Sequence, residues 1–314
     1  MSPPGPRSLA ALCLGLPGLL AGACQSKARG GSGGGEREFD GVRALGYVER
    51  QLAFGPRAPN TAGHRATGDW LVAELEARAD TVLVQDFVQH TRRGERLALR
   101  NVFARFRPDA AERVLLLAHW DTRPTAERSP NLAAQRQPVP GANDGASGTA
   151  ILLGVADALR ARPPEIGVDL LFVDGEDYGD FSDTTETLIG SRYFAAHRPP
   201  GYAPLFAVLF DMVGDRDLQI YQEGTSLAGA PEVVERVWRA ADRLGHGDYF
   251  LPGGRHTIAD DHVPLQEVGI RAIVVIDFDY GSNNGYWHTT DDTLDKVSAA
   301  SLQIVGDVAV ALVR

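Results

Sequence analysis

The feature that most limits the fold is a series of short, almost wholly apolar runs separated by helical patterns. The runs are "VLLLA", "VDLLFV", "LFAVLF" and "AIVVI", which begin at residues 114, 168, 205 and 272. Between them, "TAILLGVADALRA" and "PEVVERVWRAADRLG" carry apolar residues at three- and four-residue spacing, as helices with one buried face do. Apolar strands that alternate with helices are typical of parallel strands covered on both faces. The pattern predicts a single α/β domain with a mixed, mostly parallel central sheet flanked by helices.

The residues before the first run predict two helices and a pair of strands. "FDGVRALGYVERQLAF" and "TAGHRATGDWLVAELEARA" have helical spacing, whereas the short runs "TVLVQDFVQ" and "LRNVFARF" are rich in β-branched or aromatic residues. We interpret these two runs as antiparallel strands. The basic stretch "HTRRGERLALR" then becomes a solvated hairpin tip rather than a binding patch.

Length and charge exclude some classes of partner. The chain has 314 residues, of which 44% are hydrophobic, so it can bury a core of ordinary size. Its formal net charge is −10, and it contains no long block of Lys and Arg. Because binding to nucleic acid depends on clustered basic side chains, the composition predicts no nucleic acid partner.

The first 38 residues are expected to lie outside the folded domain. Residues 1–23 combine Arg7 with an uncharged stretch rich in Leu and Ala, which is typical of an export signal and too short for a membrane span. "LLAGAC" resembles the lipobox of bacterial lipoproteins, so we expect a periplasmic or cell-envelope protein whose only membrane contact is a lipid anchor at Cys24. Simple secretion is the alternative. Residues 24–38 are Gly-rich and predict a flexible tether, and residues 39–314 are predicted to form the domain.

The positions of the two cysteines exclude cysteine chemistry. Cys13 falls inside the predicted signal, which leaves Cys24 alone in the exported chain. A single cysteine cannot form an internal disulfide. The same count excludes a catalytic thiol and a zinc site built from cysteines.

Polar side chains follow the predicted strands at the points where they end. In a sheet of this kind, ligands bind beyond the carboxyl ends of the strands. The candidate side chains at these ends and in the adjoining turns are His119, Asp144, Glu176, Asp177, Asp211 and His288. Each one alone is weak evidence, because an Asp after a strand more often caps a helix or forms a turn. Together, imidazole and carboxylate groups at one sheet edge are what a hydrolytic zinc site requires.

Six motifs, taken in order, resemble those of a known family. They are "AHWD", "GANDGASGTAILL", "DGEDYG", "IGSRYFA", "FDMVG" and "YWHTTDDT", and the similarity runs from about Phe39 to the C-terminus. The set resembles the zinc-dependent exopeptidases, a family that contains aminopeptidases and glutaminyl cyclases. Trp287 before the last motif's His, "GEDYG" and "TIADDHVPL" look most like the bacterial glutaminyl cyclases.

The resemblance to the cyclases implies a zinc site and a substrate. It implies one zinc ion, with Asp144, Asp177 and His288 as ligands; Asp177 is one methylene shorter than the glutamate usual at this position. The other implied residues are an acid/base carboxylate, two carboxylates that position the amino group and the ammonia, and a pocket residue: Glu176, Asp211, Asp260 and Trp287. The implied substrates are peptides or proteins with an N-terminal glutamine. The residues alone do not decide whether crowding by carboxylates or the zinc ion dominates the pKa of Glu176.

Two other interpretations stay open. In a two-zinc aminopeptidase, His119 and Asp211 would bind a second zinc ion bridged through Asp144, and Glu176 would activate a water molecule to cleave an N-terminal peptide bond. This chain retains all of these residues. A binding domain without catalysis is the other alternative, and it is disfavoured because none of the implied ligands is missing.

Overall fold

A central sheet organises the residues that the computed structural model describes, 38–181 and 185–314. In chain order the strands are β1 (Thr81–His90), β2 (Arg96–Phe106), β3 (Arg113–His119), β4 (Gly167–Val173), β5 (Ala207–Asp211), β6 (Ile220–Glu223), β7 (Phe250–His256) and β8 (Ala272–Ile276). The central sheet has six of them, in the order β1-β2-β4-β3-β5-β8. Strands β4, β3, β5 and β8 run parallel, whereas β1 and β2 form an antiparallel hairpin that joins the sheet beside β4. The predicted mixed, mostly parallel sheet is confirmed.

Helices cover both faces of this sheet. They are α1 (Gly41–Ala53), α2 (Ala62–Glu76), α3 (Ala146–Ala161), α4 (Ile189–His197), α5 (Gly224–Gly229), α6 (Pro231–Leu244), α7 (His262–Glu267) and α8 (Ala299–Ala311). Strand β4 shows why its sequence is apolar throughout: Leu170 and Phe172 pack into the core on one face, and Leu171 and Val173 into the core on the other. The first core includes residues of α1, α2, α3, α6 and α8, and the second includes residues of α4 and α7. Each parallel strand therefore ends in polar residues only where it leaves this cover.

Four short elements were not predicted from the sequence. Strands β6 and β7 form a separate parallel pair with register shifts on either side of Gln222. Strand β7 contains Pro252, Gly253 and Gly254 and is mostly exposed, so it lacks the alternation that marks a strand. Helices α5 and α7 have six residues each, which is too short for a helical repeat to be recognised.

The predictions for the N-terminus lie outside the described residues. The export signal over 1–23, the lipid anchor at Cys24 and most of the tether over 24–38 belong to residues 1–37, so they stay predictions. Over 38–181 and 185–314, no helix is long and apolar enough to cross a membrane.

Candidate metal centre and active site

The predicted site residues meet at the carboxyl ends of the parallel strands. His119 is the last residue of β3, and Asp211 is the last residue of β5. Glu176 and Asp177 follow β4 by three and four residues, as expected for a strand that leaves the covered part of the sheet. The turn before α3 brings Asp144 to the same edge, and the loop after β8 brings His288.

One group of candidate ligands consists of Asp144, Asp177 and His288. Each residue offers an atom within 4.8 Å of the other two, and all three residues are buried. His288 Nε2 lies 3.3 Å from Asp177 Oδ1 and 3.8 Å from Asp144 Oδ2. Asp177 Oδ2 is buried and has no hydrogen-bond partner among the described residues. A buried carboxylate oxygen without a donor is costly, so this geometry fits a bound cation.

A second group shares Asp144 and adds His119 and Asp211. His119 Nε2 lies 3.1 Å from Asp144 Oδ1 and 3.1 Å from Asp211 Oδ1. Its ring is 1% exposed. Burial alone would lower the pKa of His119, but Asp211, Asp121 and Asp144 raise it well above its ordinary value. In this group His119 Nε2 is hydrogen-bonded to Asp211, and Asp144 lies at the same distance from that nitrogen.

Two further buried aspartates hold the turns that carry the candidate ligands. Asp121 accepts hydrogen bonds from the backbone N–H of Glu176 at 3.1 Å and of Asp177 at 3.2 Å. Asp292 accepts from the backbone N–H of Asp144 at 3.1 Å and from the residue before it at 2.8 Å. Asp121 lies in the motif "AHWD" and Asp292 in "YWHTTDDT". A sequence motif does not reveal that a particular Asp binds backbone N–H groups rather than a metal ion.

The backbone is in an unusual conformation at two positions of the candidate metal site. Gly145 has φ = 86°, and a Cβ there would lie 2.5 Å from the backbone oxygen of Asp121, so only glycine fits beside Asp144. His288 has φ = 56°, in the left-handed region that only a few per cent of residues other than glycine adopt. Such strain is retained where the surroundings fix the residue, and it is concentrated at functional sites.

The carboxylate of Glu176 is a stronger base than an ordinary carboxylate, because its pKa is raised. Burial raises its pKa well above the usual value, and the neighbouring charges of Asp177, Asp261 and Asp260 raise it further against the opposing effect of His119. Burial and the neighbouring carboxylates therefore outweigh the effect of His119 on the pKa of Glu176.

Two more buried carboxyl groups lie beside Glu176. Burial, Asp211 and Asp261 raise the pKa of Asp260 well above its usual value. Burial raises the pKa of Asp261 to about 7, although Ser191 donates a hydrogen bond to it. The sequence did not predict a role for Asp261, because the pattern of two adjacent aspartates does not show that both are buried near Glu176.

The ligand groups themselves carry an excess of negative charge. Burial and the charge of Asp177 raise the pKa of Asp144 to about 6. Burial would lower the pKa of His288, but Asp177 and Glu127 hold it at about 9. Two carboxylates and one imidazole are a donor set that a catalytic zinc ion uses, with a position left open for substrate. The residues present therefore fit a zinc ion.

One pocket joins these groups to an apolar wall. Its volume is 280 Å³, and the predicted residues that line it are Asp144, Glu176, Asp177, Asp211, Asp260, Trp287 and His288. The wall comprises Phe181, Ile258, Phe278 and Trp287, and the rings of Phe278 and Trp287 meet edge to face at 4.9 Å. Three larger cavities, of 510, 580 and 370 Å³, contain none of the predicted site residues. His119 lies beneath the pocket rather than in its lining.

Known proteins resemble this chain in sequence and in fold. A family model described as peptidase family M28 matches residues 101–313. The crystal structure of Porphyromonas gingivalis glutaminyl cyclase has a TM-score of 0.84 and 37% identity, over 88% of this chain and 98% of that one. A zinc-dependent exopeptidase from Parabacteroides distasonis has a TM-score of 0.84 and 36% identity, with the same shares covered. Aminopeptidase YwaD of Bacillus subtilis is 25% identical over 297 residues, which are 88% of this chain and 57% of YwaD.

The match covers more than half of the chain, and the structural relatives share the fold over nearly their whole length. The family resemblance inferred from the six motifs is thereby confirmed. The chain belongs to peptidase family M28, whose members are zinc-dependent enzymes.

Proposed function

We propose that this protein is a glutaminyl-peptide cyclotransferase, which converts an N-terminal glutamine to pyroglutamate and releases ammonia. The observation that carries the proposal is the single 280 Å³ pocket in which three candidate zinc ligands, Glu176, two further carboxylates and an aromatic wall come together. The similarity of the chain to the Porphyromonas gingivalis glutaminyl cyclase supports the same assignment.

The pocket suits a short polar side chain with an amide at its end. Phe278 and Trp287 provide apolar surface for the methylene groups of a glutamine, and the carboxylates are more buried than these two rings. Asp211 and Asp260 can accept hydrogen bonds from the substrate's α-amino group and from the departing ammonia. A pocket with an apolar wall and a few polar groups at fixed positions is typical of small-ligand sites.

The reaction requires that one proton move between two nitrogen atoms. The α-amino nitrogen attacks the γ-carboxamide carbon, a C–N bond closes the five-membered ring, and the bond to the amide nitrogen breaks. When bound, zinc supplies Lewis-acid polarisation of the γ-carboxamide oxygen. A carboxylate oxygen of Glu176 takes the proton from the α-amino group and gives it to the leaving nitrogen, which its raised pKa favours. Because nucleophile and electrophile belong to one residue, the protein mainly fixes their geometry.

The second candidate function is a two-zinc aminopeptidase. The observation that favours it is the group formed by His119, Asp144 and Asp211, whose ligand atoms lie within 4.8 Å of one another. In that case Glu176 would take a proton from a water molecule that attacks the first peptide bond.

Mass spectrometry of a peptide that begins with glutamine separates the two functions. After incubation with the purified zinc-loaded chain, we expect a product that keeps every residue and has lost the mass of one ammonia. A product shortened by its first residue would support the aminopeptidase. The control is the same peptide with glutamate first, because its γ-carboxylate cannot release ammonia and should stay unchanged.

A further inference from the structure

The segment that follows β3 lies against two of the three candidate ligands. It begins at Arg123, and its backbone is tied to the loop after β8: the N–H of Arg128 donates to the carbonyl of His288 at 3.2 Å, and Ser129 Oγ accepts from the N–H of Thr290 at 3.1 Å. The guanidinium of Arg128 also lies 4.4 Å from the centre of the Trp287 ring. These contacts fix the segment beside the metal site.

Arg123 spans the turn that carries Asp177. Its Nη1 donates to Asp177 Oδ1 at 3.0 Å, to the Asp177 carbonyl at 3.2 Å and to the Gly179 carbonyl at 2.8 Å. The guanidinium thus holds Oδ1 of Asp177, while the buried Oδ2 has no hydrogen-bond partner in the described part of the chain. The side chain of Arg123 is 10% exposed, and the ring of Phe181 lies 5.8 Å from its guanidinium carbon.

Glu127 joins Arg123 to the third ligand. Both of its carboxylate oxygens lie 2.8 Å from Arg123 Nε, and Oε1 lies 2.9 Å from His288 Nδ1. An ionised carboxylate can only accept, so the proton of the neutral imidazole belongs on Nδ1. His288 Nε2 then presents its lone pair toward Asp144 and Asp177, as a metal ligand must.

We propose that Arg123 and Glu127 form a positioning pair that holds Asp177 and His288 in place for the zinc ion. The two residues are four positions apart. The guanidinium of Arg123 contacts Asp177, and the carboxylate of Glu127 contacts His288. Neither residue lines the substrate pocket. The pair therefore acts through the ligands, and it accounts for the retention of a left-handed backbone at His288, which is held by the Glu127 side chain and the Arg128 amide.

The physical basis is the cost of a misoriented ligand. Partners that fix the tautomer and direction of a ligating histidine change metal affinity by roughly 10- to 100-fold when they are removed. Here the same pair also fixes Asp177, whose side chain is one methylene shorter than glutamate and so has less freedom to reach a metal ion. The inference rests on the ligand assignment in the proposed function, but not on which reaction the enzyme performs.

The test is zinc affinity, measured without substrate by competition with a chromogenic chelator. We expect Arg123→Met to weaken zinc binding by roughly 10- to 100-fold, and Glu127→Gln, which keeps an acceptor for Nδ1 but loses the charge, by about 10-fold. The Glu127 side chain is 41% exposed, so Glu127→Gln should fold even if Arg123→Met does not. Circular dichroism and thermal unfolding verify the fold of each variant.

Controls separate this inference from a general loss of structure and from the proposed function. Arg239→Met removes an exposed pair with Glu235 that has the same four-residue spacing on α6, and it should leave zinc affinity unchanged. The double variant should lose less than the product of the two single losses, because both residues act through one unit. Zinc affinity within twofold of the parent chain in a folded Glu127→Gln variant would refute the proposal that Arg123 and Glu127 position the ligands. Full zinc affinity in His288→Ala would instead overturn the ligand assignment on which it rests, whereas peptide cleavage by the parent enzyme would overturn only the cyclase assignment.

Discussion

The two groups of candidate metal ligands share Asp144 but differ in what surrounds them. All of Asp144, Asp177 and His288 line the pocket, and Asp177 keeps a buried oxygen without a donor in the described part of the chain. In the other group His119 lies below the pocket and already contacts Asp144 and Asp211 at 3.1 Å each. All three ligands of the first group therefore line the pocket, whereas the second group reaches it only through Asp144 and Asp211.

This difference favours Asp144, Asp177 and His288 as the zinc site. A catalytic metal site requires an open position and ligands held by outer partners. The first group has both, since Arg123 and Glu127 hold two of its members. In the second group, the imidazole of His119 lies 3.1 Å from both Asp144 and Asp211 and is not part of the pocket lining. We therefore expect one zinc ion, at Asp144, Asp177 and His288.

The largest expected effect comes from removing the imidazole of each group in turn. His288→Ala should reduce zinc content to near zero and abolish turnover, because one of three protein ligands is lost. His119→Ala should keep zinc while lowering activity, since His119 supports the pocket carboxylates from below. Metal content measured by atomic emission and turnover of a glutamine peptide check both variants. A fall in zinc to half of the parent value in His119→Ala would mean that the second group also holds metal.

Glu176→Gln separates proton transfer from metal binding. We expect zinc content to be unchanged and turnover to fall by about 10³-fold, because a carboxamide cannot accept the proton. Steady-state ammonia release with matched zinc analysis measures both. Near-normal turnover would refute the role of Glu176 as the base.

A smaller effect is expected at the pocket wall. Trp287→Ala should raise KM by about 10-fold through loss of apolar contact and leave zinc content intact, while Trp287→Phe should recover most of the affinity. Initial rates over a range of peptide concentrations give kcat and KM separately. The centres of the Trp287 and His288 rings lie 3.9 Å apart. Loss of zinc in Trp287→Ala would therefore mean that Trp287 holds His288 in place.

The smallest effect concerns a buried carboxylate outside both groups. Burial alone would raise the pKa of Glu223, but His262 and the backbone N–H groups of Ile258, Thr225 and Ser226 lower it to about 2. Its charge is already satisfied, in contrast to Asp144. We expect Glu223→Gln to cost about 2 kcal/mol of unfolding free energy at neutral pH with no change in zinc content.

The pH dependence of this cost has a definite sign. The folded pKa of Glu223, about 2, lies below the unfolded value near 4.5. Ionised Glu223 therefore stabilises the fold above pH 4.5, and this contribution is lost as the pH falls through 4.5 toward 2. The difference in unfolding free energy between the parent chain and Glu223→Gln, measured in urea, should shrink over that range. A difference that stays constant with pH would contradict the account of Glu223.

Strand-end chemistry was the part of the site that the sequence could predict. Apolar runs such as "VDLLFV" fix where a parallel strand ends, and the carboxyl ends of such strands meet at one edge. For that reason Asp177 and Asp211 could be placed near one another from the pattern alone. Asp144 and His288 were candidates from the turn and the loop beside such strands, and their roles as ligands came from the motif resemblance. The structure brings all of them together.

The residues that support the site could not be predicted in the same way. Arg123 and Glu127 lie in an irregular loop with no periodic pattern, and their contacts depend on how that loop folds against residues about 50 and 160 positions away along the chain. Phe278 lines the pocket because of the path taken after β8. Strands β6 and β7 were missed because they pair outside the main sheet, and their pairing is set by tertiary contacts rather than by alternation.

Anomalous X-ray scattering at the zinc absorption edge, from a crystal of the zinc-loaded chain, tests the central claim most directly. We predict one strong peak between Asp144, Asp177 and His288, at a position open to the pocket. A second peak of similar height between His119, Asp144 and Asp211 would contradict the single-metal account and favour the aminopeptidase.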